Sequence, residues 1–267
     1  MTFSIGARDP ATGDLGIAIA SRVLAVGAVA PFARAGVGAI STQALPNVAY
    51  GPDALARMAA DEDPEAVLAA LTAADSLASQ RQAGIVDALG RSASWTGSNC
   101  MVWAGGRTAP GVAIQGNILV GPEVVDRMLA AWESTTGTFP RRLLAALRAG
   151  DQAGGDSRGR QSAALLVRRE KGGVGGADDR WIDLRIDDHT DPVTELGRLM
   201  TLHEEQTNLR DPEKLAQIGS ALVSQARIAI KGALAPKGDD APAAGTLISS
   251  PAELPAADTG TIPVDGN

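Results

Sequence analysis

Apolar and polar positions alternate from the start of the chain. Phe3, Ile5 and Ala7 fall on one side and Thr2, Ser4 and Gly6 on the other, the period-two pattern of a half-buried strand over Thr2–Arg8. Residues 9–14, Asp-Pro-Ala-Thr-Gly-Asp, form a dense turn signal, and Leu15–Ser21 reads as a second strand, so the chain opens on a predicted hairpin. Further strands are predicted at 37–43, 83–87, 92–95, 101–104, 112–115, 162–169 and 181–186. Helical spacing covers 52–61, 64–74, 122–132, 140–149, 192–205 and 212–231. Each of these segments opens on proline, which is pre-organised for the first helical turn. Residues 150–159 read as a Gly-rich loop and 172–177 as a tight connector.

Strands and helices therefore come in blocks rather than in strict alternation. That order predicts an α+β fold in which two mainly antiparallel sheets stack face to face, each covered by helices. The domain is expected over 2–231. From 232 to 267 the chain is Ala, Pro, Gly, Thr and Asp without periodicity, which predicts a disordered tail.

The chain has 267 residues, of which 45% are hydrophobic, enough for a substantial core. Aromatics are only 3%, so that core must be built from Ala, Val, Leu and Ile. A net charge of -7 argues against nucleic acid or an anionic membrane as partner. No apolar run approaches a membrane span and no signal-peptide pattern is visible, so a cytoplasmic location is expected. The single cysteine, Cys100, excludes an intrachain disulfide framework.

Candidate chemistry begins at Thr2. An initiator methionine is usually removed before a small residue, which would leave Thr2 with a hydroxyl nucleophile and its own α-amine. That amine has an ordinary pKa of about 7.7–8.0 and can serve as a base near neutrality. In the predicted hairpin the end of the second strand returns beside Thr2, bringing Ser21 and Arg22 with it. Arg22 either holds a substrate carboxylate or pairs structurally with an acid. Thr42 and Gln43 end the third strand, and Asn47 follows as a substrate amide or a loop cap. Gln115 and Asn117 flank Gly116 in an apolar stretch and are candidates to line a pocket, with Asn117 or Gln43 as an oxyanion donor. Asp156, Arg158 and Gln161 lie on the Gly-rich loop, which is either an anion-binding nest or a solvated turn.

Competing chemistry is sparse. Asp187-Asp188-His189 is a weak ligand set because neighbouring strand residues point to opposite faces, so no metal site is expected. The only histidines are His189 and His203, and no Gly-x-Ser-x-Gly elbow is present. Cys100, with no histidine near it in sequence, reads as a small buried filler.

Taken together, Thr2-Phe3-Ser4-Ile5, Gly16 through Ser21-Arg22, Val26-Gly27 with Pro31, Gly38-Ala39 to Thr42-Gln43, Tyr50-Gly51-Pro52, Arg81-Gln82, Thr96-Gly97 with Cys100, Gln115-Gly116-Asn117, and Gly154-Gly155-Asp156 with Arg158-Gly159 and Gln161-Ser162-Ala163 resemble the DUF1028 family. The likeness runs over roughly residues 2–200. It implies a four-layer αββα sandwich of the Ntn-hydrolase-like superfamily, with an N-terminal nucleophile. Proteasome subunits of that superfamily place a lysine near the nucleophile. The first lysine here is Lys171, so reliance on the free amine and an arginine looks more like the glycosylasparaginase branch. The resulting expectation is a hydrolase that cleaves a C–N bond of a small molecule without a cofactor, with Arg22 or Arg158 binding an anionic substrate group. The chain is expected to form a homo-oligomer. The rival expectation is a non-catalytic binding or assembly protein on the same fold.

Overall fold

The computed structural model of the protein describes residues 2–210 and Gln225. Contacts divide the chain into a unit that ends at Leu209 and a second that starts at Arg210. The architecture below is that of the first unit. The helix expected over 212–231, Gln225 aside, and the tail expected over 232–267 lie outside the described residues.

Ten strands, five α-helices and three short 3-10 helices are found among the described residues of the unit. Strands β1 (Thr2–Arg8) and β2 (Leu15–Ser21) form the predicted hairpin. They lie at the centre of a six-stranded sheet with β7 (Trp103–Ala109), β8 (Val112–Leu119), β9 (Ser162–Arg168) and β10 (Arg180–Ile186), in the order β10-β9-β2-β1-β8-β7. The second sheet is β3 (Pro31–Arg34), β4 (Gly38–Ala44), β5 (Arg81–Asp87) and β6 (Ser92–Thr96), in that order. Every pairing among these strands is antiparallel.

Helices cover the outer face of each sheet. On the larger sheet lie α3 (Glu123–Ser134), α4 (Phe139–Gln152) and α5 (Pro192–Arg210). The apolar face of α4, with Leu143 and Leu147, packs with Met128 of α3 and Leu196 of α5 onto Phe3, Ile5, Ile114 and Leu165. On the smaller sheet lie α1 (Tyr50–Ala59) and α2 (Pro64–Ala73), whose Ala54, Met58, Val67 and Leu68 pack with Ile40, Ala83 and Ile85. Capping is local for α2: the Asp63 side chain accepts the Glu65 N–H at 2.9 Å and Pro64 takes the first helical position. The expected α+β sandwich of two antiparallel sheets with helices on both sides is therefore the observed arrangement.

Some boundaries differ for identifiable reasons. Strand β3 was not predicted; it opens on Pro31 and lies at a sheet edge, where a missing N–H is tolerated. The strand expected at 101–104 lies at Trp103–Ala109, because Gly105-Gly106 hides the alternation. β8 runs through Gly116 to Leu119, four residues beyond expectation, and α4 extends to Gln152 inside the predicted loop.

The space between the two sheets is itself divided. On one side it is apolar, with Ile17 and Ile19 of β2, Ala33 of β3, Ala39 of β4, Val86 of β5 and Leu166 of β9. On the other side β1, β4, β5 and β8 fill it with Ser4, Ser41, Gln43, Gln82, Gln115 and Asn117, all fully or almost fully buried. Thr2 stands at the end of this polar half.

Candidate active site

Because β1 begins at Thr2 in the middle of the larger sheet, the residue is held from both sides. Thr2 pairs with Ser21 of β2 and with Asn117 of β8. The strand period turns all three side chains toward the smaller sheet. Thr2 Oγ1 lies 3.0 Å from Ser21 Oγ, and the Thr2 carbonyl accepts the Gln43 Nε2–H at 3.2 Å. Thr2 is only 6% exposed. It nevertheless lines a cavity of about 290 Å³, together with Thr42, Gln43 and apolar residues of the β2–β3 connection.

The buried amides form one directed chain of hydrogen bonds. Gln82 Nε2 donates to the Gly116 carbonyl at 2.8 Å, to Thr96 Oγ1 at 2.9 Å and to the Gly105 carbonyl at 3.3 Å. Carbonyls only accept, so the Gln82 amide cannot be turned round, and its Oε1 must face the site. There it accepts Gln43 Nε2 at 2.8 Å and Asn117 Nδ2 at 2.9 Å. Gln43 Oε1 in turn accepts the Ser4 hydroxyl at 2.8 Å, and Ser4 Oγ accepts Gln115 Nε2 at 2.7 Å. Satisfied networks of this kind rigidify a core, because every member left unpaired would cost about 1–3 kcal/mol.

Two acceptors remain at the ends of the chain, Gln115 Oε1 and Asn117 Oδ1, both buried without a hydrogen-bond partner. Gln115 Oε1 faces Gly84. Asn117 faces Thr2, with one amide hydrogen engaged by Gln82. Gln43 differs: its Nε2 serves Thr2 O, Gln82 Oε1 and Gln115 O, which leaves no donor for a ligand. Of the two amides expected to hold an oxyanion, Asn117 alone keeps donor and acceptor capacity beside Thr2.

The backbone is strained at this same place. Ala44 (φ 68°) directly follows Gln43, Ile118 (φ 54°) follows Asn117, and Ala25 (φ 53°) interrupts the cavity wall between Leu24 and Val26. Left-handed conformations are costly for residues with a β-carbon, most of all for β-branched isoleucine. Clusters of such residues mark sites where geometry is held against local preference.

The remaining predicted residues lie around this centre. Asn47 lies on the loop after β4, where Nδ2 donates to Asp75 Oδ2 at 3.1 Å and Oδ1 accepts the Ala49 N–H at 3.2 Å, so it caps the loop. Its backbone N–H binds Thr42 Oγ1 at 3.2 Å. Asp75 also accepts the Tyr50 hydroxyl at 3.0 Å and Arg81 Nε at 2.9 Å, and Arg81 Nη1 donates to the Leu45 carbonyl at 2.7 Å. The Arg81 guanidinium, with the Leu77 N–H, holds the Asp75 carboxyl well below the usual carboxylate range. Burial, reinforced by Asp75, pushes the Tyr50 phenol up to about 12. This cluster anchors the loop that carries Ala44 and Pro46 to the cavity wall.

Neither arginine expected to bind an anion lines the Thr2 cavity. Arg22 is exposed and donates from Nη1 to Gln161 Oε1 at 2.7 Å, while its backbone N–H binds Asp156 Oδ2 at 2.9 Å. Asp156 Oδ1 accepts the Arg158 N–H at 2.8 Å, and Arg158 Nη2 lies 3.3 Å from Asp156 Oδ2. Gln161 Nε2 donates to Asp188 at 3.0 Å. Asp156, Arg158 and Gln161 thus tie the Gly-rich loop to the end of β2, and Asp156 borders a separate cavity of about 110 Å³ under Ser21.

Neither histidine lines the Thr2 cavity. His189 is exposed and accepts the Asp191 N–H, and His203 lies on α5 beside Trp181 and Glu204. Burial pushes the Cys100 thiol pKa up, away from a reactive thiolate. A cavity of about 540 Å³ lies between α2 and strands β6 and β7, bounded by Glu65, Leu68, Trp95 and Gly105, and holds none of the predicted site residues. Among the described residues no cluster of three or more His, Cys, Asp or Glu could hold a metal. No helix among them is long and apolar enough to cross a membrane.

Residues 2–196 match the family described as "Family of unknown function (DUF1028)". The chain belongs to the DUF1028 family. The match begins at Thr2 and reaches the first turns of α5, so it spans both sheets and all the site residues above. A solved structure of this family, protein SPO2555 from Silicibacter pomeroyi, is 33% identical with a TM-score of 0.69, over 78% of this chain and 89% of that one. No curated protein matches the chain.

Proposed function

We propose that this DUF1028 protein is an N-terminal-nucleophile hydrolase on an Ntn-hydrolase-like αββα sandwich, cleaving a C–N bond of a small molecule. The observation that carries the reading is the placement of Thr2. It opens the central strand, its hydroxyl meets Ser21 Oγ at 3.0 Å, Asn117 stands opposite on the next strand, and a cavity opens beside it.

In this reading removal of Met1 frees the Thr2 α-amine. No charged side chain lines the cavity, and burial among uncharged groups favours the neutral, basic amine. The Thr2 hydroxyl attacks the substrate carbonyl while the α-amine takes its proton, directly or through a water. Asn117 is the side chain with hydrogen-bonding capacity for the developing oxyanion or for the amine. The protonated amine then delivers its proton to the leaving nitrogen, and the C–N bond breaks. Water hydrolyses the acyl-Thr2 ester by the reverse proton route. Ser21 orients the Thr2 hydroxyl.

The test is direct. Intact mass of the purified protein should show loss of Met1, and a panel of small amides should be cleaved by the wild type and not by Thr2→Ala. A protein that is active with Met1 retained overturns the mechanism.

A further inference from the structure

Five large apolar side chains are exposed on the loops that follow β2 and β4: Val23, Leu24, Val29, Leu45 and Val48, with Leu24 65% exposed. Three of them, Val23, Leu24 and Val29, line the cavity of about 290 Å³ whose polar edge is formed by Thr2, Thr42 and Gln43. A second cavity of about 210 Å³ shares Ala44 with the first and is bordered by Gln80, Asn99 and Asn117. No side chain with a formal charge lines either space. The charged groups near the end of β2, Asp151, Asp156 and Arg160, border the small cavity under Ser21 instead.

We infer that the substrate is an uncharged N-acyl amide whose aliphatic acyl chain occupies the cavity walled by Val23, Leu24 and Val29, with the amine portion toward Asn99 and Asn117. The inference rests on the hydrolase reading of Thr2 and names its substrate class. A carboxylate in this space would lose water and gain no cation, since Arg22 and Arg158 are held on the Gly-rich loop. An alkyl chain leaves water for an apolar wall. A volume of about 290 Å³ corresponds to roughly eight to ten water molecules at ~30 Å³ each, space enough for an acyl chain of about eight carbons. The two spaces meet at Ala44; Thr2 lines the first, and the second, where Leu45, Met101 and Ile118 stand beside Gln80, Asn99 and Asn117, receives the amine portion. The reaction consumes one amide and one water and yields a fatty acid and an amine.

The experiment uses the full chain with acetyl, hexanoyl, octanoyl and succinyl 4-nitroanilides, together with calorimetric titration of octanamide and of succinamate. Thr2-dependent cleavage should rise by about fourfold per methylene until the chain reaches about eight carbons, and the succinyl compound should be a poor substrate. Octanamide should bind and succinamate should not. Leu24→Asp, at an exposed position, should lower octanoyl cleavage and octanamide binding at least tenfold and leave the oligomeric state by light scattering unchanged. Thr2-dependent cleavage that favours the succinyl or acetyl compound overturns the inference and leaves the hydrolase reading standing. Octanamide binding without cleavage of any amide supports the apolar site and removes the hydrolase reading. Absence of octanamide binding, or a Leu24→Asp protein with altered assembly and unaltered octanamide binding, overturns the inference.

Discussion

Gly84 lies directly against the amide of Gln115: a β-carbon on residue 84 would stand 1.9 Å from Gln115 Oε1. The two sheets approach each other through this pair. Gln115 is fully buried, and its Nε2 is fixed on Ser4, so it cannot swing aside without breaking that bond. Gly84→Ala should destabilise the protein by about 1–3 kcal/mol in urea unfolding, and Gln115→Ala should do so by a similar amount. The double variant should be at least ~1 kcal/mol better than the sum of the two, because truncating the glutamine makes room for the methyl. Strict additivity would show that the contact does not limit the approach of the sheets.

Gln82 and Asn117 should separate stability from activity. Gln82→Met removes the acceptor shared by Gln43 and Asn117 and the donor to Gly116, and should cost about 2–4 kcal/mol of stability. Asn117→Ala leaves Gln82 Oε1 still paired with Gln43 and should cost within about 1 kcal/mol. Its turnover should nevertheless fall by about 10²–10³. Thermal melts and amidase rates on the same preparations check both; an Asn117→Ala protein with wild-type turnover removes Asn117 from the mechanism.

Thr2→Ser should keep measurable hydrolysis, because hydroxyl and α-amine stay on one residue, while Thr2→Ala should abolish it with the fold intact. The loss of the Ser21 contact should cost Thr2→Ala only about 1 kcal/mol. Circular dichroism and initial rates distinguish a dead site from an unfolded one.

Tyr50 is the only tyrosine, so ultraviolet titration reads it alone. Its phenol should ionise near pH 12 in the native protein, raised chiefly by burial, and near 10 in denaturant. Between these values the unfolded chain has lost a proton that the native chain retains, so stability should fall as pH rises from about 10 to about 12. Asp75 acts in the opposite sense at the acid end. Its pKa is depressed in the fold, so its contribution is complete above the ordinary carboxylate pKa of 3.8 and lost as pH falls below that. Tyr50→Phe should remove the alkaline step, visible as a flatter melting temperature between pH 10 and 12.

Much of this architecture was legible along the chain. Alternation over Thr2–Arg8 and Leu15–Ser21 and the turn between them specify the hairpin, and the pairing of Thr2 with Ser21 follows from it. The prolines at 64 and 192 mark where helices begin. The pair Gln115 and Asn117, two amides in an apolar strand, pointed to the interior polar cluster that the structure contains. Gln82 gives no such signal, since a glutamine at the start of an apolar strand carries no sign of being a hub. Gly105 and Gly116, whose carbonyls fix its orientation, come from other strands.

Local pattern determined most of the strands and helices and the pairing of Thr2 with Ser21, because period, turn chemistry and capping act over a few residues. The surroundings of Thr2 are set by contacts between distant segments. In the sequence Arg22 can serve either a ligand or the scaffold; packing of the Gly-rich loop, 139 residues away, draws its guanidinium to Gln161. The direction in which Asn117 presents its free oxygen depends on Gln82, 35 residues earlier and on the other sheet. The apolar wall beside the threonine arises where the β2–β3 connection meets the end of β4. Such long-range juxtapositions leave no period in the chain, since they depend on which sheets stack and not on which residues alternate.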